Sequence, residues 1–200
     1  MFVYRLATHS LFLLLLTFGL IACSSRVTKV EVVNEPLTEE LYEVSGSSVA
    51  DVLTSIRARM TGGFAGWAGV NIYYEYEASP SIFSDCRVAR IKVTTRPYMK
   101  IPNWRSSGSF EASMLPNWLR FIGALRTHEE GHIEIGLAAA SSFASRFSYP
   151  DKVSASNCTE LDQKIRQIYN SEMSAADDEN RRYDKLTGHG KTQGTDFSWN

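Results

Sequence analysis

The chain has 200 residues, 44% hydrophobic and 22% charged, with 21 basic against 22 acidic side chains and a formal charge of −1. That length supplies a core for a single domain. A charge so near balance leaves no electrostatic footprint for nucleic acid and excludes binding classes built on a basic face.

The N-terminus carries Arg5, then an almost wholly apolar run from Leu11 to Ala22, then Cys23. The run is too short to span a bilayer comfortably and reads as the core of a signal peptide. Leu20-Ile21-Ala22-Cys23 resembles a bacterial lipobox. The resemblance implies that residues 1–22 are a leader and that Cys23 is lipidated as the first mature residue, holding the protein on a membrane. Ser24, rather than an aspartate, implies by the same resemblance the outer membrane, facing the periplasm. The alternative is an ordinary secreted protein cleaved nearby. Residues 23–40 are polar and without a strong period, so they read as a tether, with the domain running over 41–200.

Tyr42-Glu43-Val44-Ser45-Gly46 alternates as a short strand does, and Ser47 or Ser48 caps a helix from Val49 to Met60 with Val49, Val52, Leu53 and Ile56 on its apolar face. Gly62, Gly63, Gly66 and Gly69 match no phosphate-binding fingerprint and read as turn residues without chemistry of their own. Two β-rich runs follow, Gly69–Glu77 and Arg87–Tyr98, with Pro80, Ser84 and Asp85 between them. They predict an antiparallel pair joined by a loop too long for a tight hairpin. Pro102, Trp104 and Gly108 mark a break. A long helix from Met114 to Phe147 comes next, with Pro116 near its first turn, and a second runs from about Thr159 to Tyr183.

His128-Glu129-Glu130-Gly131-His132 is the H-E-x-x-H pattern carried by zinc proteases. Residues four apart share a helix face, so two imidazoles converge on one ion while Glu129 points toward the position left for water. Trp118, Phe121, Ile122, Leu125, Ala139, Phe143 and Phe147 form one stripe of the helix, and His128, Glu129 and His132 fall inside it. Imidazoles and a carboxylate facing a core need partners or a metal. The bland alternative is two core histidines that donate to carbonyls, with Glu129 paired to Arg126 or Arg146.

Two histidines need a third protein ligand. The chain has 4 His; His9 leaves with the leader, so His189 is the remaining imidazole. Glu172 and Glu179 share the apolar stripe of the second helix with Leu161, Ile165, Ile168, Ala176 and Tyr183, and stand as alternative third ligands. In an oxidising compartment Cys86 and Cys158 are expected to form a disulfide closing a long loop, the alternative being two buried thiols.

The order Tyr-Glu-Val-Ser-Gly strand, Trp67, Cys86, Pro102 with Trp104, Trp118, H-E-x-G-H, Cys158 and then Y-D-x-x-T-x-H-G-x-x-Q-G resembles the DUF922 family, described as predicted secreted zinc-dependent proteases. The last motif is matched by Tyr183, Asp184, Thr187, His189, Gly190, Gln193 and Gly194. Resemblance to zincins generally implies Glu129 as general base, His128, His132 and His189 as zinc ligands, and Tyr183 or Asp184 orienting a ligand or stabilising an oxyanion. The expectation is an α+β, zincin-like domain: a small antiparallel β-sheet packed on the long H-E-x-x-H helix and a second C-terminal helix. Its expected activity is zinc-dependent hydrolysis of a peptide or protein substrate. The rival is an envelope binding or assembly lipoprotein with a structural or vestigial metal site.

Overall fold

The computed structural model describes residues 28–59, 64–80, 85–105, 114–149 and 153–196. The fold is α+β, and its spine is β4 (Cys86–Arg105), whose inward residues Val88, Ile91, Val93, Met99 and Ile101 are buried. β3 (Trp67–Pro80) runs antiparallel along one edge of β4, from Trp67 opposite Lys100 to Pro80 opposite Cys86. β1 (Lys29–Asn34) pairs with Arg90–Thr95 and β2 (Thr38–Ser45) with Tyr98–Arg105, both parallel. The short β5 (Ser154–Ala155) pairs antiparallel with Cys86 and Arg87. Because β3 occupies one edge over the same stretch, β5, β1 and β2 lie end to end along the other. Pro97 falls in the gap between the β1 and β2 segments, where its missing amide donor costs no ladder bond on that edge.

The five-stranded sheet is therefore mixed, which corrects the antiparallel sheet expected above. β1 and β2 reach β4 through long-range parallel register, and no turn sequence announces such pairings. Two further expectations change. β1 lies within the stretch assigned to the tether. Pro102 and Trp104 continue β4 rather than breaking the chain, and the Trp104 indole donates to the Gly46 carbonyl at 3.1 Å.

Three helices complete the fold. Ser48 caps α1 (Val49–Arg59) by accepting from the Asp51 amide at 3.2 Å, and Val52 and Ile56 are buried beneath it. α2 (Met114–Ser145) crosses the sheet with Trp118, Phe121, Leu125, His128, Glu129, Ala140 and Phe143 buried, while Arg120, Thr127 and Glu134 are exposed. α3 (Cys158–Thr187) starts at the Asn157 cap, whose side chain accepts from the Glu160 amide at 2.9 Å, and stops at Gly188 in the left-handed region. Cys86 and Cys158 form the expected disulfide, Cα to Cα 5.1 Å, tying the start of β4 to the start of α3.

Two apolar clusters sit under the helices. One gathers Val44, Met99, Ile101, Trp118, Phe121 and Leu125; the other gathers Ile91, Val93, Phe143, Phe147, Leu161 and Ile165. On α2 the first cluster takes Trp118, Phe121, Leu125 and Ile133 and the second takes Ala140, Phe143 and Ala144, so His128 and His132 interrupt the stretch of helix that packs on the first. No helix among the described residues is long and apolar enough to cross a membrane. The leader, Cys23, Gly62, Gly63 and Gly108 lie outside the described residues.

Candidate metal centre

The four-residue spacing of His128 and His132 puts both rings on the α2 face that meets α3. α3 answers with the same spacing: Asn180 and Asp184 project back from one face. The Oδ1 atom of Asp184 lies 3.3 Å from His128 Nε2 and 3.2 Å from His132 Nε2. His128, His132 and Asp184 each bring one ligand atom within 4.8 Å of the others. This is an N,N,O donor set of the kind that zinc accepts.

The other ring nitrogens are held from behind. His132 Nδ1 is 2.8 Å from Asn180 Oδ1, and His128 Nδ1 is 3.0 Å from Gln193 Oε1. For His128 the surrounding bonds fix the tautomer. The Tyr183 hydroxyl donates to the His128 carbonyl, which can only accept, so Tyr183 receives its own bond from Gln193 Nε2 at 3.0 Å. That turns the Gln193 carbonyl oxygen to His128 Nδ1, which must then carry the proton. His128 Nε2 is left with a lone pair aimed at a carboxylate oxygen. Two acceptors facing each other at this distance repel unless a cation or a proton lies between them, and burial lowers the His128 imidazole below its ordinary range, against protonation. The residues present therefore fit a metal ion.

Tyr183 locks the arrangement sterically as well. Its ring stacks on His128 at 5.2 Å and meets His132 edge-on at 5.1 Å. A β-carbon on Gly131 would collide with the Tyr183 ring, which explains the glycine inside the H-E-x-G-H sequence. Gly190, at φ 82°, lets the turn after α3 close on His128, whose Cγ would stand 3.1 Å from an added β-carbon.

Glu129 is 4% exposed and has no hydrogen-bond or ion-pair partner among the described residues. Burial, helped by the charge of Asp184, pushes its pKa up to about 7. Gly66 lies against it so closely that a β-carbon there would be 2.5 Å from Glu129 Oε1. Tyr42, its own pKa pushed up to about 12 by burial and by Glu129, donates to the Ala65 carbonyl at 2.6 Å and steadies that approach. Gly66 is thus a wall of the site, not only the turn residue expected from sequence.

Asp184 occupies the corner of the group that the sequence reading gave to His189. α3 runs four residues past its expected end at Tyr183, which keeps Asp184 on the helical face toward α2. His189, at φ 55°, is 53% exposed at the rim, its Nδ1 3.5 Å from Asp184 Oδ1 and its ring 4.9 Å from Phe64. Glu172 pairs with Arg146 and Glu179 with Arg182, so neither alternative ligand joins the group. Arg126 pairs with Glu39, which removes the two arginines invoked as partners for Glu129. The sequence signal for Asn180 is the polar stripe that it forms at helical spacing with Tyr183, Asp184 and Thr187, which the apolar pattern of α3 does not pick out.

A family model described as a bacterial protein of unknown function, DUF922, matches residues 39–190, a span that includes His128, Glu129, His132 and Asp184. No curated protein and no solved structure matches the chain. With the match covering most of its length, the chain belongs to the DUF922 family.

Proposed function

We propose that this is a zinc-dependent metallopeptidase of the bacterial envelope, anchored through lipid on Cys23 to the outer membrane and facing the periplasm. One observation carries the reading: two imidazole nitrogens and the Asp184 carboxylate converge on one point beside a buried, unpaired Glu129. A zinc ion there would supply a Lewis acid and a bound water of pKa about 7.

The residues around it have separable tasks. His128, His132 and Asp184 would hold the ion, with Asn180 and Gln193 orienting the two rings. Glu129 takes a proton from the attacking water as its oxygen adds to the substrate carbonyl, and returns that proton to the amine nitrogen as the carbon–nitrogen bond breaks. A group near neutral pKa suits both halves of that exchange. The substrate is an extended peptide laid along β3, whose outer edge has no strand partner among the described residues.

The close cover of Gly66 over Glu129 favours a second reading, a non-catalytic envelope binding or assembly lipoprotein in which the metal is structural. Turnover of a peptide library by purified wild type separates the two. The hydrolase reading expects Glu129→Gln to keep its zinc and lose cleavage. Equal cleavage by Glu129→Gln removes the mechanism, and absence of turnover in wild type favours the second reading.

A further inference from the structure

The outer edge of β3, which pairs with no strand among the described residues, has a definite end. In an antiparallel pair, residues alternate between those that exchange bonds with the neighbouring strand and those that turn both main-chain groups outward. Two observations assign the alternation here. Ile72 turns its carbonyl away from β4 to the Tyr169 hydroxyl, which donates to it at 3.0 Å. Val70 stands opposite Pro97, which has no N–H to offer. Ala68, in step with Val70 and Ile72, therefore also presents its amide and carbonyl outward.

This outward series begins beside the site and stops at α3. Gly66 lies against Glu129 at one end. At the other, Tyr169 reaches from α3 to Ile72, its ring 5.1 Å from Tyr74 and 5.5 Å from Phe143. Farther along, the Tyr76 hydroxyl donates to Asp162 of α3 at 2.9 Å, so this helix is tied to the rest of the strand as well. Between Gly66 and Ile72 an extended strand covers about 20 Å, room for roughly five residues.

We propose that Tyr169 is a specificity-determining residue, a bar that closes the β3 edge at Ile72 and limits how far a docked peptide extends on one side of the cleaved bond. The proposal rests on the peptidase reading. A peptide pairing with Ala68 and Val70 gains main-chain bonds whatever its sequence, but beyond Val70 it meets the Tyr169 ring and an Ile72 carbonyl already occupied. The natural substrates are then short peptides or chain ends, not the middle of a long extended segment.

Two peptide ladders test this, one lengthened on each side of a single scissile bond, with kcat/KM measured at every length. Wild type is expected to show a fall of about tenfold at one length on one side only, the loss of a main-chain bond or two. Tyr169→Ala, which removes the bar, abolishes that fall. Tyr169→Phe keeps the packing on Tyr74 and Phe143 but frees the Ile72 carbonyl, and makes the fall smaller. It carries the test if the alanine variant does not fold. The proposal is overturned if wild type cleaves the ladders with no length limit on either side, or if the limit is unchanged in a folded Tyr169 variant. Binding of the same fluorescent ladders to zinc-loaded Glu129→Gln, read by anisotropy, does not depend on hydrolysis. A step in affinity that Tyr169→Phe weakens supports the bar even if wild type cleaves nothing, and no step refutes it.

Discussion

His132 and Asn180 face each other across the two long helices, ring Nδ1 to side-chain oxygen at 2.8 Å. The contact fixes which ring nitrogen is free, since an imidazole that donates through Nδ1 presents a lone pair at Nε2. Asn180 touches neither substrate nor ion in this account, yet it sets the geometry of a ligand. Asn180→Ala is expected to lower zinc affinity about 10–100-fold while leaving the melting temperature of the metal-free protein little changed. Competition against a chromophoric chelator measures the first quantity and calorimetry the second. Unaltered affinity would show that the contact orients nothing.

Gly131 gives a test with an unusual sign. Replacing a glycine inside a helix by alanine normally stabilises by about 0.5–1 kcal/mol. Here the new methyl meets the Tyr183 ring, so Gly131→Ala is expected to destabilise by about 1–3 kcal/mol, as overpacking does, and to weaken metal binding as Tyr183 and the attached Gln193 shift. Urea denaturation decides the sign. A gain in stability would mean that α2 and α3 do not pack as described.

Burial of Glu129 implies a pH dependence in the metal-free protein. Its folded pKa of about 7 lies above the ordinary 4.5, so between these values the folded state keeps a proton that the unfolded chain releases. Stability therefore falls as pH rises through that window, by about 3 kcal/mol in all, and flattens above it. Glu129→Gln, which cannot ionise, is expected to remove this slope. Denaturation of both proteins at pH 4.5 and pH 7.5 checks it, and an equal slope in the two would place the titration elsewhere.

How much of this was legible in the sequence depends on whether a signal is local. The α2 stripe and the H-E-x-G-H spacing are local, and they located the two histidines and Glu129 on a buried face. The Cys86–Cys158 bridge was legible from the cysteine count together with the expectation of an oxidising compartment. β1 was missed because Lys29–Asn34 is a half-exposed strand with no clean alternation, paired to residues far along the chain. The parallel register of β2 on β4 was hidden for the same reason.

Asp184 shows a subtler failure. The sequence reading gives Asp184 only the task of orienting a ligand or stabilising an oxyanion, and ending α3 at Tyr183 takes it off the helical face that carries Asn180 and Tyr183. Gly188 is the physical stop signal, a left-handed cap one residue after Thr187, whose hydroxyl donates to the Tyr183 carbonyl at 2.9 Å and holds the last turn. With the helix carried to that glycine, the carboxylate reaches the two rings and the imidazole of His189 swings to the rim.

The most direct test is elemental analysis of the purified protein after equilibration with zinc, for wild type, Asp184→Ala and His189→Ala. The expectation is about one equivalent in wild type and in His189→Ala, and loss of tight binding in Asp184→Ala. A wild type that holds no zinc, or a pattern in which His189→Ala loses the metal and Asp184→Ala keeps it, would contradict it.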